Sequence, residues 1–113
     1  MFKKVAIIIS FVFLFFHAAL ILAEDLPEGT VQSGTLTNEK LMGDTMMGVA
    51  TRVDTEGCNK PDSFLAYISR LPEGENGSRS WGEKWIVYGC GSSYSVDIEF
   101  KEDGLDAANF SIR

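Results

Sequence analysis

The stretch from Trp81 to Phe100, WGEKWIVYGCGSSYSVDIEF, constrains this chain most. From Trp81 to Cys90, Ile86, Tyr88 and Cys90 fall on one face and Trp85 and Val87 on the other. After Gly91-Ser92-Ser93, the residues Tyr94, Val96, Ile98 and Phe100 alternate with Ser95, Asp97, Glu99 and Lys101. A period of two, apolar on one face and polar on the other, is the pattern of a half-buried antiparallel strand. Two such runs around a short break of Gly and Ser predict a β-hairpin with a cysteine at its turn.

That cysteine has one possible partner, Cys58. An even pair in an oxidising compartment reads as a disulfide. It would close a loop of about 33 residues, worth roughly 3.7 kcal/mol if loop entropy alone is counted.

The start of the chain supplies the compartment. Met1-Phe2-Lys3-Lys4 is short and basic, Val5 to Ala23 is an apolar run, and Glu24-Asp25 begins a polar region. This is the layout of a bacterial-type secretory signal peptide, with cleavage expected after Ala23. The run is also nearly as long as a membrane span, so an uncleaved anchor is the competing reading. Cleavage would remove 23 of the 113 residues and leave a single domain of 90, Glu24 to Arg113. The leader carries two lysines and no acid, so the formal charge moves from −6 to −8. A surface this acidic repels phosphate, which makes nucleic acid and anionic membrane poor partners and a cationic protein a good one. Acidity that merely keeps a small secreted domain soluble explains the same number.

Between leader and hairpin, residues 24–36 carry Pro, Gly and small polar residues and are expected to be a loosely ordered lead-in. Asn38 to Glu56 reads as a helix. Asn38 caps it, Met42, Met46, Val49, Ala50 and Val53 form one stripe, and Gly57 ends it. Gly43 and Gly48 oppose the helix by up to about 1 kcal/mol each, unless they let it lie close to a sheet. Cys58 follows at once, so the disulfide should tie the helix end to the middle of the sheet. Ser63 to Arg70 reads as a strand with Phe64, Ala66 and Ile68 on one face. Leu71 to Ser80 is a loop, and Asn109 to Arg113 a closing strand with Phe110 and Ile112 inward. The expected fold is α+β: one N-terminal helix packed on a four-stranded antiparallel meander, with the disulfide Cys58–Cys90.

Much chemistry is excluded by composition. The only histidine is His17, inside the leader. Without histidine, the mature domain has no Ser-His or Cys-His nucleophile and no imidazole zinc site. Two cysteines joined to each other offer no thiolate. Gly89-Cys90-Gly91 is a turn, not a phosphate loop. Carboxylate pairs of the glycosidase type remain, in a domain with little room for a sugar cleft. The run Glu102-Asp103-Gly104-Leu105-Asp106 lacks the ligand spacing of a calcium loop. The sequons at Asn76 and Asn109 matter only in a eukaryotic secretory route. No catalytic residue, cofactor or metal ligand is assigned.

The remaining constellation is Trp81-Gly82-Glu83-Lys84-Trp85, preceded by the acidic, Gly-rich loop from Pro72 to Ser80. The two tryptophans either belong to the core or form an exposed anchor beside Glu73, Glu75 and Glu83. Aromatic anchors with a charged rim suit a protein-binding hot spot, and the loop suits insertion into a partner's cleft. Glu73, Glu75, Trp81, Glu83 and Trp85 are therefore the candidate partner-binding residues.

The C-terminal third resembles a group of small exported bacterial proteins of uncharacterised function. The likeness rests on W-x-E-x-W-x-V-x-x-C-G at Trp81, Glu83, Trp85, Val87, Cys90 and Gly91. It continues through Val96, Ile98 and Phe100 to Phe110 and Ile112. Leu105-Asp106-Ala107-Ala108 stands where such proteins have a Gly-rich turn. The resemblance implies an exported α+β domain and no catalytic residues. The function expected is that of a non-enzymatic periplasmic or secreted binding protein, an inhibitor or immunity-type protein against a cationic enzyme or toxin. The alternative is a structural or accessory subunit of an envelope or secretion assembly.

Overall fold

The computed structural model describes residues 26–113; the expected leader, Met1 to Ala23, lies outside them. In chain order the elements are β1 (Gln32–Ser33), α1 (Glu39–Thr55), β2 (Pro61–Glu73), β3 (Ser80–Gly89), β4 (Ser92–Glu102) and β5 (Ala108–Ile112). The strands form one antiparallel sheet in the order β1-β2-β3-β4-β5. No helix among the described residues is long and apolar enough to cross a membrane.

The α+β architecture and the disulfide agree with expectation, but the sheet has five strands rather than four. The extra strand comes from the lead-in, Gln32–Ser33. Its backbone turns at Pro27–Thr30, then pairs with β2: Val31 N donates to Ile68 O (2.8 Å) and Gly34 N to Ala66 O (2.9 Å). A two-residue strand of exposed Gln and Ser carries no hydrophobic alternation, so nothing in its sequence marks it.

The helix forms where capping and periodicity place it. Asn38 Oδ1 accepts from Leu41 N at 2.8 Å, Glu39 stands in the first turn and Arg52 in the last. Gly57 follows with φ 108°. The buried stripe is Thr45, Val49 and Val53, flanked by Leu41, Met42 and Met46. It packs on Trp85, Val87, Val96, Ile98 and Phe100 from the sheet, with Phe110 and Ile112 alongside. Each large apolar side chain so buried contributes about 1.5–3 kcal/mol.

The helix lies nearest β4 and β5. Gly48 makes that approach possible: a Cβ there would stand 2.9 Å from Ile112 Cδ1 and 3.1 Å from Phe110 Cε2. The β2 side of the same face is left less covered, and Phe64 and Ala66 are only half-buried.

At the far end of the helix, Cys58 is bonded to Cys90 with a Cα–Cα distance of 5.8 Å. The hairpin turn is Cys90–Gly91, not Gly91-Ser92-Ser93, because Gly89 pairs directly with Ser92. Both turn residues have positive φ, 54° and 71°, as a two-residue type I′ turn requires. The disulfide thus ties the helix end to the tip of the hairpin, not to the middle of the sheet.

Candidate functional site

Period two puts Trp81, Glu83 and Trp85 on one face of β3, the face under the helix. There Trp81 is 6% exposed, and Trp85 and Glu83 are both at 0%. The rings stack on core partners: Trp81 on Phe100 (5.0 Å between centroids) and Trp85 on Phe64 (4.9 Å). An exposed aromatic anchor is therefore not what these residues form. They are core.

Glu83 departs furthest from a place on an exposed rim. Its carboxylate sits between the two indoles and accepts four hydrogen bonds. Oε1 takes Trp85 Nε1 (2.8 Å) and Thr35 Oγ1 (2.7 Å). Oε2 takes Trp81 Nε1 (2.8 Å) and the backbone N–H of Leu36 (3.0 Å). Burying a carboxylate is costly unless its lone pairs are met, and here two donors meet each oxygen. The strand supplies one donor to each oxygen and the lead-in supplies the other. Thr35 is held in turn by Thr37, whose N–H donates to Thr35 Oγ1 at 3.1 Å. Glu83 is thus a clasp that draws residues 35–36 over the sheet and aims the chain into α1. No open oxygen is left for a substrate. The signal in the sequence was the W-x-E-x-W spacing itself, since i, i+2 and i+4 of a strand share a face.

Glu73 and Glu75 are exposed at the opposite rim, where β2 turns into β3. The β2–β3 loop and the β4–β5 turn meet there. Glu102, at the end of β4, joins them. Its Oε1 accepts from Gly77 N (3.2 Å), Arg79 N (2.8 Å) and Arg79 Nε (3.0 Å), and its Oε2 from an Arg79 guanidinium nitrogen at 3.0 Å. The Arg79 side chain, then its backbone amide, pulls the Glu102 carboxyl down to about 2. Glu102 raises the Arg79 guanidinium in return. The backbone joins in, with Glu102 N donating to Arg79 O (2.9 Å).

The β4–β5 turn is self-supporting. Asp103 Oδ1 accepts from Leu105 N (2.7 Å) and Ala107 N (3.2 Å), and Asp103 N donates to Ala107 O (2.9 Å). Its carboxylate is spent on the turn, and among the described residues no group of three or more acidic or sulfur ligands could hold a metal. This hydrogen-bonded turn presents Leu105 at 83% exposure, with Asp103 and Asp106 exposed beside it.

Two further surfaces stand apart. The face of the sheet away from the helix carries Leu65 (51% exposed), Tyr88 (38%), Tyr67 and Ile86. It also carries Arg70 and Arg113, both paired with Glu99. On the helix side, an apolar groove of about 310 Å³ runs between Met46 and Ala50 of α1 and Pro61 to Phe64 of β2, with Val87 at its floor.

Comparison with protein-family models, with curated proteins and with solved structures found no match.

Proposed function

We propose that this chain is a non-enzymatic, exported binding protein of the inhibitor or immunity type, which neutralises a cationic enzyme or toxin. The binding end is the rim where the β2–β3 loop and the β4–β5 turn are clamped together. One observation carries the reading. Leu105 is held almost fully exposed on a hydrogen-bonded turn, and the Arg79–Glu102 pair fixes that turn to its neighbouring loop. A loop that is ordered before binding loses little entropy on insertion, which favours affinity. An apolar tip flanked by Asp103 and Asp106, with Glu73 and Glu75 exposed on the adjoining β2–β3 segment, suits a cleft with a basic rim. The formal charge of the chain, −6 with the leader and −8 without it, adds long-range attraction. The disulfide and the leader-like start support an extracytoplasmic setting, periplasmic or secreted.

The test is inhibition of a panel of purified basic hydrolases and toxins from the producing cell's envelope. The inhibited enzyme should associate faster at low salt, and Leu105→Asp with Glu73→Lys and Glu75→Lys should abolish inhibition. An association rate indifferent to both salt and these substitutions rejects the reading.

A second reading, an accessory subunit of an envelope or secretion assembly, is favoured by the uncovered face with Leu65 and Tyr88. It predicts stable co-purification with an envelope complex that is lost in Leu65→Lys.

A further inference from the structure

We infer that the edge of β2 at Asp62 to Leu65, with the groove beside it, is a docking site for an extended peptide that adds to the sheet as a strand. The site lies at the opposite end of the sheet from the rim proposed above, and it stands or falls without that reading. The geometry begins with β1. The carbonyls of Ala66 and Ile68 are taken by Gly34 and Val31, so the backbone groups of these residues face the edge of β2 away from β3. By strand alternation Phe64 faces it too.

The chain does not go on to pair there. At Gly34 (φ 104°) it leaves the row, and Thr35 and Leu36 are drawn off to Glu83. Among the described residues nothing pairs with the Phe64 N–H and C=O on that edge, so the row that β1 starts is left unfinished. An edge that already accepts an irregular segment of its own chain, antiparallel and at good distance, is shaped to accept another.

The adjoining groove says what the peptide carries. A residue opposite Phe64 points its side chain to the helix side, between Met46 and Ala50 on α1 and Phe64 and Val87 on the sheet. The groove takes one branched apolar side chain. Asp62 lies at its mouth, exposed and without a hydrogen bond or ion pair among the described residues. Asp62 is the extra residue where the β2–β3 register shifts between Pro61 and Ser63, so it is reached by side-chain length rather than by strict register, and a long basic side chain two positions further along an antiparallel peptide meets it. The recognised pattern is apolar–x–basic in an extended segment. A second copy of this chain fits less well, because two acidic molecules would be set edge to edge with Asp62 in both strands.

The probe is a blocked heptapeptide of valine and threonine carrying one leucine and, two positions later, one arginine. It is titrated into the purified, oxidised protein and followed by amide NMR. Saturable binding is expected, with shifts confined to Asp62 to Leu65, Met46 and Ala50. Asp62→Lys should weaken it about tenfold, and exchanging the peptide arginine for glutamate should restore binding to that variant. A version with the leucine nitrogen methylated should not bind, because the leucine N–H is the group that donates to the Phe64 carbonyl. The proposal is overturned by absence of saturable binding, by equal binding of the N-methyl version, or by shifts centred elsewhere. It is also overturned if sedimentation shows the protein dimerising through this edge by itself.

Discussion

At Glu83 a single carboxylate decides how the N-terminal segment enters the domain. Its two oxygens are shared between the strand's indoles and the lead-in's Thr35 and Leu36. Glu83→Gln keeps the shape but turns one acceptor into a donor, facing N–H groups that already donate. The expected loss is about 1.5–3 kcal/mol, and chemical denaturation should show it as a lower midpoint. Hydrogen exchange should also quicken at Val31 and Gly34, whose pairing to β2 depends on where the clasp holds the chain. Quickened exchange at those two amides with an unchanged midpoint would mean that the clasp positions the lead-in without supporting the core. Glu102 gives a second prediction at this scale. Its carboxyl is lowered to about 2 from an ordinary 4.5, so what it contributes is fully present above 4.5 and lost as pH falls through 2. Amide shifts of Gly77 and Arg79 should therefore titrate near pH 2, while Glu102→Gln should abolish that titration. The pair is solvent-exposed, so added salt should shrink the effect.

Among the elements, the two glycines inside α1 are opposites. Gly43 has open space where a Cβ would go, while Gly48 abuts Ile112 and Phe110. Gly43→Ala is expected to raise stability by about 0.8–1 kcal/mol, the helix propensity difference, seen as a higher thermal midpoint. Gly48→Ala should gain less, because the new methyl must displace two core side chains. Much of this scale was legible in the sequence. Asn38, Gly57 and the Met42–Val53 stripe bound the helix to within a residue at each end. The alternation from Tyr94 to Phe100 marked the buried face of β4. What escaped was set by distant partners. Gln32–Ser33 became a strand because Ala66 and Ile68 offered free carbonyls. Glu83 became core because indole N–H groups surround it, whereas a lone carboxylate in a sequence reads as surface. The turn lies at Cys90–Gly91 because Gly89 pairs with Ser92 and leaves two residues that both take positive φ, a conformation rare for cysteine and so not legible from its identity.

Considered whole, the molecule is fastened at both ends of its sheet by different means. The Cys58–Cys90 bond joins helix to hairpin at one end, and Arg79–Glu102 joins two loops at the other. Close packing reinforces the first: a Cβ at Gly89 would stand 2.8 Å from Pro61 Cα. Replacing both cysteines by alanine should cost about 3 kcal/mol, read as a lower denaturant midpoint. The far rim, with its own ion pair, should keep its amide shifts in that variant. Loss of those shifts would show that the two ends are not independent.

The clasp on Glu83 also imposes an order of events on a chain made from its N-terminus. Thr35 and Leu36 are synthesised 48 and 47 residues before the carboxylate they bind. At about 5–20 residues per second that is a gap of roughly 2–10 s. Until it ends, Thr35 and Leu36 lack the carboxylate that fixes them; β2, which pairs with Val31 and Gly34, emerges first, but α1 has neither β3 nor β4 beneath its apolar stripe. The domain therefore stays pliable until the Trp81–Trp85 stretch emerges, and a nascent chain kept open for that interval is one that machinery acting on unfolded polypeptide can still engage.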